Sequence, residues 1–457
     1  MRSWRVPCLA AGVLAVTVVQ APAQVAATTQ PRAVTAAASL SAEMPALPVT
    51  LADAVDRAMT FNLGVLSRDE QLTSARGARV RALRDLLPRV DARLAGTRQT
   101  TNLAAFGFDA SRFPGLSSVV GPFDIVDARL HATQSVLDLA ARADLRSRTA
   151  SVDAARLDAM NEREVVTYVV TTLYWQAVAG QRRIDTARAQ LATAEALLHR
   201  AEQLRDAGVV AGIDVVRAQV AVSARRQRVV SAESEAAKQQ IQLARAMGLP
   251  VTQRLTLRDA TGRPLTPLAS DDALVADALA SRSDLGAAQQ RVASADAALT
   301  RVRNEALPAV GISVDYGTIG STLPSARPTY ALAGQVRVPL FDVDRIGRRM
   351  EQAAALEQRR AEERDARARV EAEVRTALLD VRASEQQWAV SRERQRLAEQ
   401  EVALAQVRFE AGVTGNLELL QAQSEVDAAT DDVIASEYAQ QVARAALARA
   451  VGHTLAP

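Results

Sequence analysis

Ala207-Gly208-Val209-Val210-Ala211-Gly212-Ile213-Asp214-Val215 and Ala411-Gly412-Val413-Thr414-Gly415-Asn416-Leu417-Glu418-Leu419-Leu420 are the two stretches that decide the fold. Each is a short glycine-bearing turn between two long segments without proline, and an offset of 204 residues lays one on the other without a gap. The match runs outward over Leu204 to Gly248 and Arg408 to Gly452. Asp214 falls on Glu418, Ala218-Gln219 on Ala422-Gln423, and Leu243-Ala244-Arg245-Ala246 on Leu447-Ala448-Arg449-Ala450. The same offset sets Ser135-Val136-Leu137-Asp138 on Pro339-Leu340-Phe341-Asp342; upstream it becomes 220, where Leu87-Pro88-Arg89-Val90 meets Leu307-Pro308-Ala309-Val310. The chain reads as one unit written twice, with 16 extra residues between the alternating stretches of the first copy. Two copies make a duplication, not a repeat array.

Proline marks the same divisions, because inside a helix it removes a backbone donor and costs roughly 3 kcal/mol. None occurs from Phe123 to Leu249 or from Leu340 to Ala456, and shorter proline-free runs precede Pro88 and Pro308. From Asp138 to Ala207 the only interior glycine is Gly180. Helix over that span is roughly 100 Å long at 1.5 Å per residue. Apolar positions step by three and four through Ile184, Ala187, Leu191, Ala194, Leu198 and Ala201, and again through Ala398, Val402, Ala405 and Phe409. That spacing predicts coiled-coil-like seams, diluted with alanine so that each helix packs on neighbours at both flanks. Gly248-Leu249-Pro250 ends the first return helix.

After Pro88 and Pro308 the period changes from about 3.6 to 2. Val90, Ala92 and Leu94 alternate with Asp91, Arg93 and Ala95; Val126, Ala128, Leu130 and Ala132 alternate with Asp127, Arg129, His131 and Thr133. Val310, Ile312, Val314 and Tyr316 alternate with Gly311, Ser313, Asp315 and Gly317, and Tyr330, Leu332, Val336 and Val338 with Ala331, Ala333, Gln335 and Arg337. Each run has about the ten residues with which a tilted strand crosses a bilayer. A soluble sheet packed on the helices would show the same alternation. Charge on the polar face, Tyr316 and Tyr330 where an aromatic girdle would lie, and an export signal favour a membrane barrel. Four strands cannot close, and lipid tolerates no open edge, so several copies must share one barrel. The loop from Thr101 to Pro122, with Phe106, Phe108 and Phe113, is expected outside the cell.

The predicted organisation is a signal peptide at 1–23, a flexible leader at 24–49 and a first unit at 50–248. That unit holds a helix begun by Thr50, strands at about 88–100 and 125–137, a long helix 138–207, a tip 208–212 and a return helix 213–248. A connector 249–270 leads to the second unit, 271–452, with a helix, strands at about 308–319 and 329–341, a long helix 342–411, a tip 412–416 and a return helix 417–452, followed by a tail 453–457. The fold class is mainly α with a small β part. The export signal consists of Met1-Arg2-Ser3-Trp4-Arg5, an apolar run through Val19 and the small-residue exit Ala21-Pro22-Ala23. Cys8 is the only cysteine, lies within that signal, and leaves no disulfide for the mature chain.

Aromatics make up only 3% of the 457 residues and Lys238 is the sole lysine. Such a composition suits close-packed helices over a thick globular core. The 55 basic residues nearly balance 52 acidic ones and the signs alternate along the helices, a solvated-face pattern that implies no nucleic-acid partner. No phosphate-binding glycine loop or His-Glu-x-x-His pair occurs, and His131, His199 and His453 are scattered. An enzyme, a metal centre and a bound cofactor are therefore not expected.

The doubled layout, Phe123-Asp124 ahead of the second strand, Gln134-Ser135-Val136-Leu137-Asp138 entering the long helix, and above all the two tips resemble the TolC-like outer-membrane efflux protein family along nearly all of the mature sequence. The resemblance implies a homotrimer in outer-membrane lipid, with a twelve-stranded β-barrel and a periplasmic α-barrel tunnel of twelve helices. It implies a passive channel for drugs, metal ions or polypeptides, served by a periplasmic adaptor and an inner-membrane pump. The adaptor would dock at the tips, Gly208, Val209, Val210, Ala211, Gly412, Val413 and Thr414. The position of Asp214 is acidic in the family and helps latch neighbouring hairpins, and that of Glu418 lies in an acidic constriction at the inner gate. This chain departs from the pattern in having Gln421 for a second acid and Thr414 for a frequent arginine. Both carboxylates also fit a plainer role at helix starts, where they complement the positive helix end. The alternative to a channel is an exported coiled-coil structural or adaptor protein with a small soluble sheet.

Overall fold

The computed structural model describes residues 46–107, 117–208, 211–258, 270–411, 413 and 416–452. The signal peptide, most of the leader, Phe108, Phe113, part of the connector and the tail with His453 lie outside these residues. The elements are β1 (Leu47–Val49), α1 (Leu51–Phe61), α2 (Leu63–Leu83), β2 (Arg89–Asn102), β3 (Val119–Leu137), α3 (Leu139–Asp206) and α4 (Gly212–Ala246). They continue with β4 (Leu255–Leu257), α5 (Asp271–Ser281), α6 (Ser283–Asn304), β5 (Ala309–Gly320), β6 (Arg327–Arg337), α7 (Val343–Glu410) and α8 (Asn416–Val451). The protein is mainly helical with a small sheet.

Capping chemistry starts the helices. Thr50 Oγ1 accepts from Asp53 N at 3.2 Å while Asp53 Oδ2 accepts from Thr50 N at 3.1 Å, a reciprocal capping box. Asp138 and Asp342 accept from backbone N–H groups at the starts of α3 and α7, satisfying donors that the helix itself leaves open. Each of these two helices then runs 68 residues.

The long helices are shared rods. Toward the sheet, α2 and α6 pack on α3 and α6 also packs on α7; toward the hairpin turns, α4 and α8 pack on α3 and α8 on α7. The layers thus read α2–α3–α6–α7 above and α4–α3–α8–α7 below. Seam positions Ile184, Ala187, Ala194, Ala201, Ala398 and Ala405 are buried, so alanine sets a close helix spacing. At Gly180 a Cβ would stand 2.1 Å from Oε1 of buried Gln239 on α4, so a larger residue there requires that side chain to move.

Where the layers meet, two apolar cores form. One gathers Val65, Val166, Val170, Tyr174, Leu243 and Met247; the other Val275, Leu285, Val370, Val374, Leu378 and Leu447. Tyr174 is fully buried, and its hydroxyl donates to the carbonyls of Arg258 and, at 3.4 Å, Val49. It thereby ties α3 to β1 and β4, which pair in parallel from Leu47↔Leu255 to Val49↔Leu257. Tyr174→Ala is expected to destabilise the fold by about 3–5 kcal/mol, the usual cost of emptying a buried aromatic site. Tyr174→Phe should lose only the hydrogen-bond part, and thermal unfolding in detergent would separate the two.

Three expectations are corrected. The leader is not flexible throughout, since its Leu47–Val49 pairs in parallel with Leu255–Leu257 of the connector. The single helix before each proline is two helices, broken at Asn62 and Arg282. Asn62 Nδ2 donates to Ala246 O at 3.2 Å and Arg282 to Ala450 O at 3.4 Å, so each break is held by the end of a return helix. The last strand stops at Arg337, ahead of Pro339, which has no N–H to give a ladder.

The sheet has the order β2-β3-β5-β6, every neighbouring pair antiparallel. Its register collects the alternation onto two faces. Val90, Ala132, Val314 and Leu332 form one apolar row, and Ala92, Leu130, Tyr316 and Tyr330 the next. Asp91, His131, Asp315 and Ala331 share a row of the opposite, polar face, where His131 Nδ1 lies 2.6 Å from Asp315 Oδ1. The apolar face is uncovered: Leu94 is 72% exposed, Leu332 73% and Tyr330 82%. β2 and β6 each have one partner and so one free edge.

Candidate functional site

The first hairpin turn follows α3. Ala207 N donates to Gln203 O at 3.0 Å and Gly208 N to Arg205 O at 2.8 Å, closing the helix, and Gly208 turns the chain at φ +73°. That left-handed conformation is nearly free for glycine and unfavourable for residues with a Cβ. Ala211 is the residue before α4 and offers no side-chain cap. Asp214 supplies the carboxylate of the first turn and meets Arg217 at 3.3 Å.

The second turn is built differently. Val413 N donates to Arg408 O at 3.0 Å, and the Val413 side chain is exposed. Glu418 stands in the first turn of α8, and Arg408 in the last turn of α7 reaches across to it at 2.8 Å. Gln421, one turn further, is exposed. Val209, Val210, Gly412 and Thr414 lie outside the described residues.

Asp214 and Glu418 thus occupy corresponding first turns, each with an arginine from its own hairpin. Sequence reasoning had the carboxylates but not Arg408, whose signal was its place one turn before the glycine. Under the tips, Ala201, Val215 and Ala218 pack with Leu198, and Ala405, Leu419 and Ala422 pack with Phe409 and with Leu197 of α3. Leu197 makes the two hairpins one packed end.

A second link between the hairpins lies higher. Arg225 of α4 pairs with Asp427 of α8, whose side chain is 3% exposed, and Arg228 approaches Asp431 at 3.8 Å. Burial, the largest influence, pushes the Asp427 carboxyl above its usual range, against the opposing pull of Arg225 and a hydrogen bond from Gln423.

The outermost helices of the lower layer carry unpartnered apolar stripes. On α4 these are Ile213, Val216, Val220 and Val230; on α7, Val390, Leu397 and Leu404 recur every seven residues. Among the described residues no group of three or more acidic, histidine or cysteine side chains is placed to hold a metal ion. No helix among the described residues is long and apolar enough to cross a membrane.

The described residues thus combine an uncovered apolar sheet with paired helical hairpins. The chain belongs to the outer membrane efflux protein family, whose sequence profile matches residues 66–249 and 274–453. It is 27% identical over 312 residues to the pyoverdine export outer membrane protein OpmQ of Pseudomonas putida KT2440, covering 66% of this chain and 65% of that one. The chain thus spans just under two thirds of that relative's length. Among solved structures it resembles the outer-membrane channel OprN, with TM-score 0.76, 22% identity, and 88% and 89% of the two chains covered. It is similar in fold to the Campylobacter jejuni CmeC outer membrane channel, with TM-score 0.76, 14% identity, and 89% and 87% covered.

Proposed function

We propose that this chain is one protomer of a trimeric, passive outer-membrane duct that carries solutes outward from an inner-membrane pump and a periplasmic adaptor. The observation that carries the reading is the exposed apolar face of a sheet with two free edges. Such a sheet is unstable in water and cannot stay open in lipid. Pairing β6 of one copy with β2 of the next would close twelve strands from three copies, and the same ring would bring the stripe of α7 against that of α4. A coiled-coil adaptor with a soluble sheet would instead cover the apolar face, which this chain leaves bare. The family and the relative's export role support the efflux reading; the cargo of this chain is a small molecule or polypeptide handed over by the pump.

The two halves are read as copies of one ancestral unit. The tips are read as the adaptor-docking rim and Asp214 as a latch between neighbouring hairpins. Glu418, with Arg408, would set the charge of the inner gate. Detergent extraction followed by native mass measurement should give three chains, and a stable aqueous monomer would overturn the duct. Gly208→Trp with Gly412→Trp should abolish efflux, by tenfold or more, while trimers still reach the outer membrane. Undiminished efflux would remove the tips from the docking surface.

A further inference from the structure

The polar face of the sheet has an unbalanced charge. In the observed register it carries Arg89, Arg93, Arg129, Arg327 and Arg337 against Asp91, Asp127 and Asp315. Five arginines against three aspartates leave an excess of two positive charges per chain with His131 neutral. Pairing does not spread this evenly. Arg129 meets Asp127 at 2.7 Å, and Asp315 meets His131 at 2.6 Å. Arg89, Arg93, Arg327 and Arg337 meet no carboxylate among the described residues, where Asp91 is the acid of this face that meets no basic side chain.

The arrangement also runs against sheet stability. Arg93 lies directly opposite Arg129 in the β2–β3 register, and like charges so placed repel. The next residue along that row is Gly317, which contributes no side chain to separate or neutralise them. At the helical end of the same face, a cavity of about 380 Å³ is lined by Arg84, Arg89 and Arg337 together with Asp85 and Asp138. Cationic side chains therefore stand both along the face and at the mouth beneath it. On the outward face the charged pair Arg98–Asp124, at 3.8 Å, is balanced. The excess belongs to one side of the sheet.

We propose that the barrel lumen of this protein favours anions, and that its cargo is drawn from organic anions such as carboxylates and phosphate esters. The inference rests on the duct proposed above, since only closure of the barrel turns the polar face into a lumen. Three copies then set a ring of arginines, in excess over the aspartates, around one aqueous path. Cationic rings of this kind raise the local concentration of anions and lower that of cations. The charge of the barrel also differs in kind from that of the tips, where Asp214 and Glu418 are each matched by an arginine. Discrimination by charge thus belongs to the outer part of the path.

The test is the reversal potential of purified trimers in a planar bilayer under a potassium chloride gradient. Wild type is compared with Arg93→Gln/Arg337→Gln and with Arg98→Gln, which removes a positive charge from the outward face. The lumen double variant should lower the chloride-to-potassium permeability ratio by about twofold or more, as expected for removing six charges from a pore lining. Arg98→Gln should leave the ratio at the wild-type value. An unchanged ratio in the double variant, with normal conductance, would overturn the anion preference while leaving the duct intact. Equal shifts in both variants would show that total charge, not the lumen face, is being read. Absence of conducting trimers in the wild type would overturn the duct itself.

Discussion

Leu332→Arg is expected to abolish assembly, while Ser313→Arg, on a neighbouring strand, is tolerated. Leu332 pairs with Val314 in the apolar row and is exposed in the single chain, so in the proposed barrel it faces lipid. A charged side chain near the bilayer midplane costs about 2–4 kcal/mol, and a trimer carries the substitution three times. Ser313 occupies the polar face, level with Thr133 and Ala333, where water would receive the guanidinium. The measurement is the amount of trimer in the outer-membrane fraction. Equal loss, or equal survival, of the two variants would mean that the alternation does not report a bilayer.

Arg225→Ala should be among the most damaging single changes in the helices, costing about 3–5 kcal/mol, because it strands the buried carboxylate of Asp427. Arg228 and Asp431 remain nearby with opposite signs and give little compensation. Asp427 has a folded-state pKa raised by burial, so the folded protein binds its proton more readily than the unfolded chain does. For such a group stability falls as pH rises through the window between the unfolded value, about 3.9, and the higher folded one. Acidification from neutral pH therefore relieves the strain, and more so once Arg225 is gone. Unfolding temperatures at neutral pH and near pH 5 should show a larger acid recovery in Arg225→Ala than in wild type. Arg225→Ala/Asp427→Asn should regain most of the lost stability at neutral pH. A variant that recovers in neither way would show that Asp427 is not the group left uncompensated.

Much of the architecture was legible because its signals are local. Proline-free runs, glycine turns and the change of period from 3.6 to 2 between Leu87 and Val90 separate a helix-rich protein with a small sheet from other classes. The breaks at Asn62 and Arg282 were not legible, since neither is a proline or glycine. Their side chains bond carbonyls of helices 184 and 168 residues away, and nothing local announces that. The β1–β4 pair was missed for a related reason: three-residue strands carry no period, and Tyr174 ties them down only after α3 is in place. At the tips, Gly208 was readable as a turn, but the reach of Arg408 to Glu418 depends on how the hairpin closes. Burial of Asp427 was equally hidden, because it depends on the neighbouring helices. The basic face of the sheet was present in the alternation, yet which charges remain unpaired required the register.

The equal length of α3 and α7, 68 residues each, bears on how such a protein can change through evolution. Inserting one residue into either rod would turn everything beyond it by about 100° and advance it by 1.5 Å, taking Ala194 or Ala398 out of its seam. A change of seven residues nearly restores the facing side chains and moves the tips by roughly 10 Å. Descendants of this chain can therefore adjust their reach only in steps close to whole turns, such as roughly 7 or 11 residues, made in both rods and both return helices together. The reach of the tips from the sheet is thus inherited as a quantised dimension, and in the proposed duct any docking partner must match it.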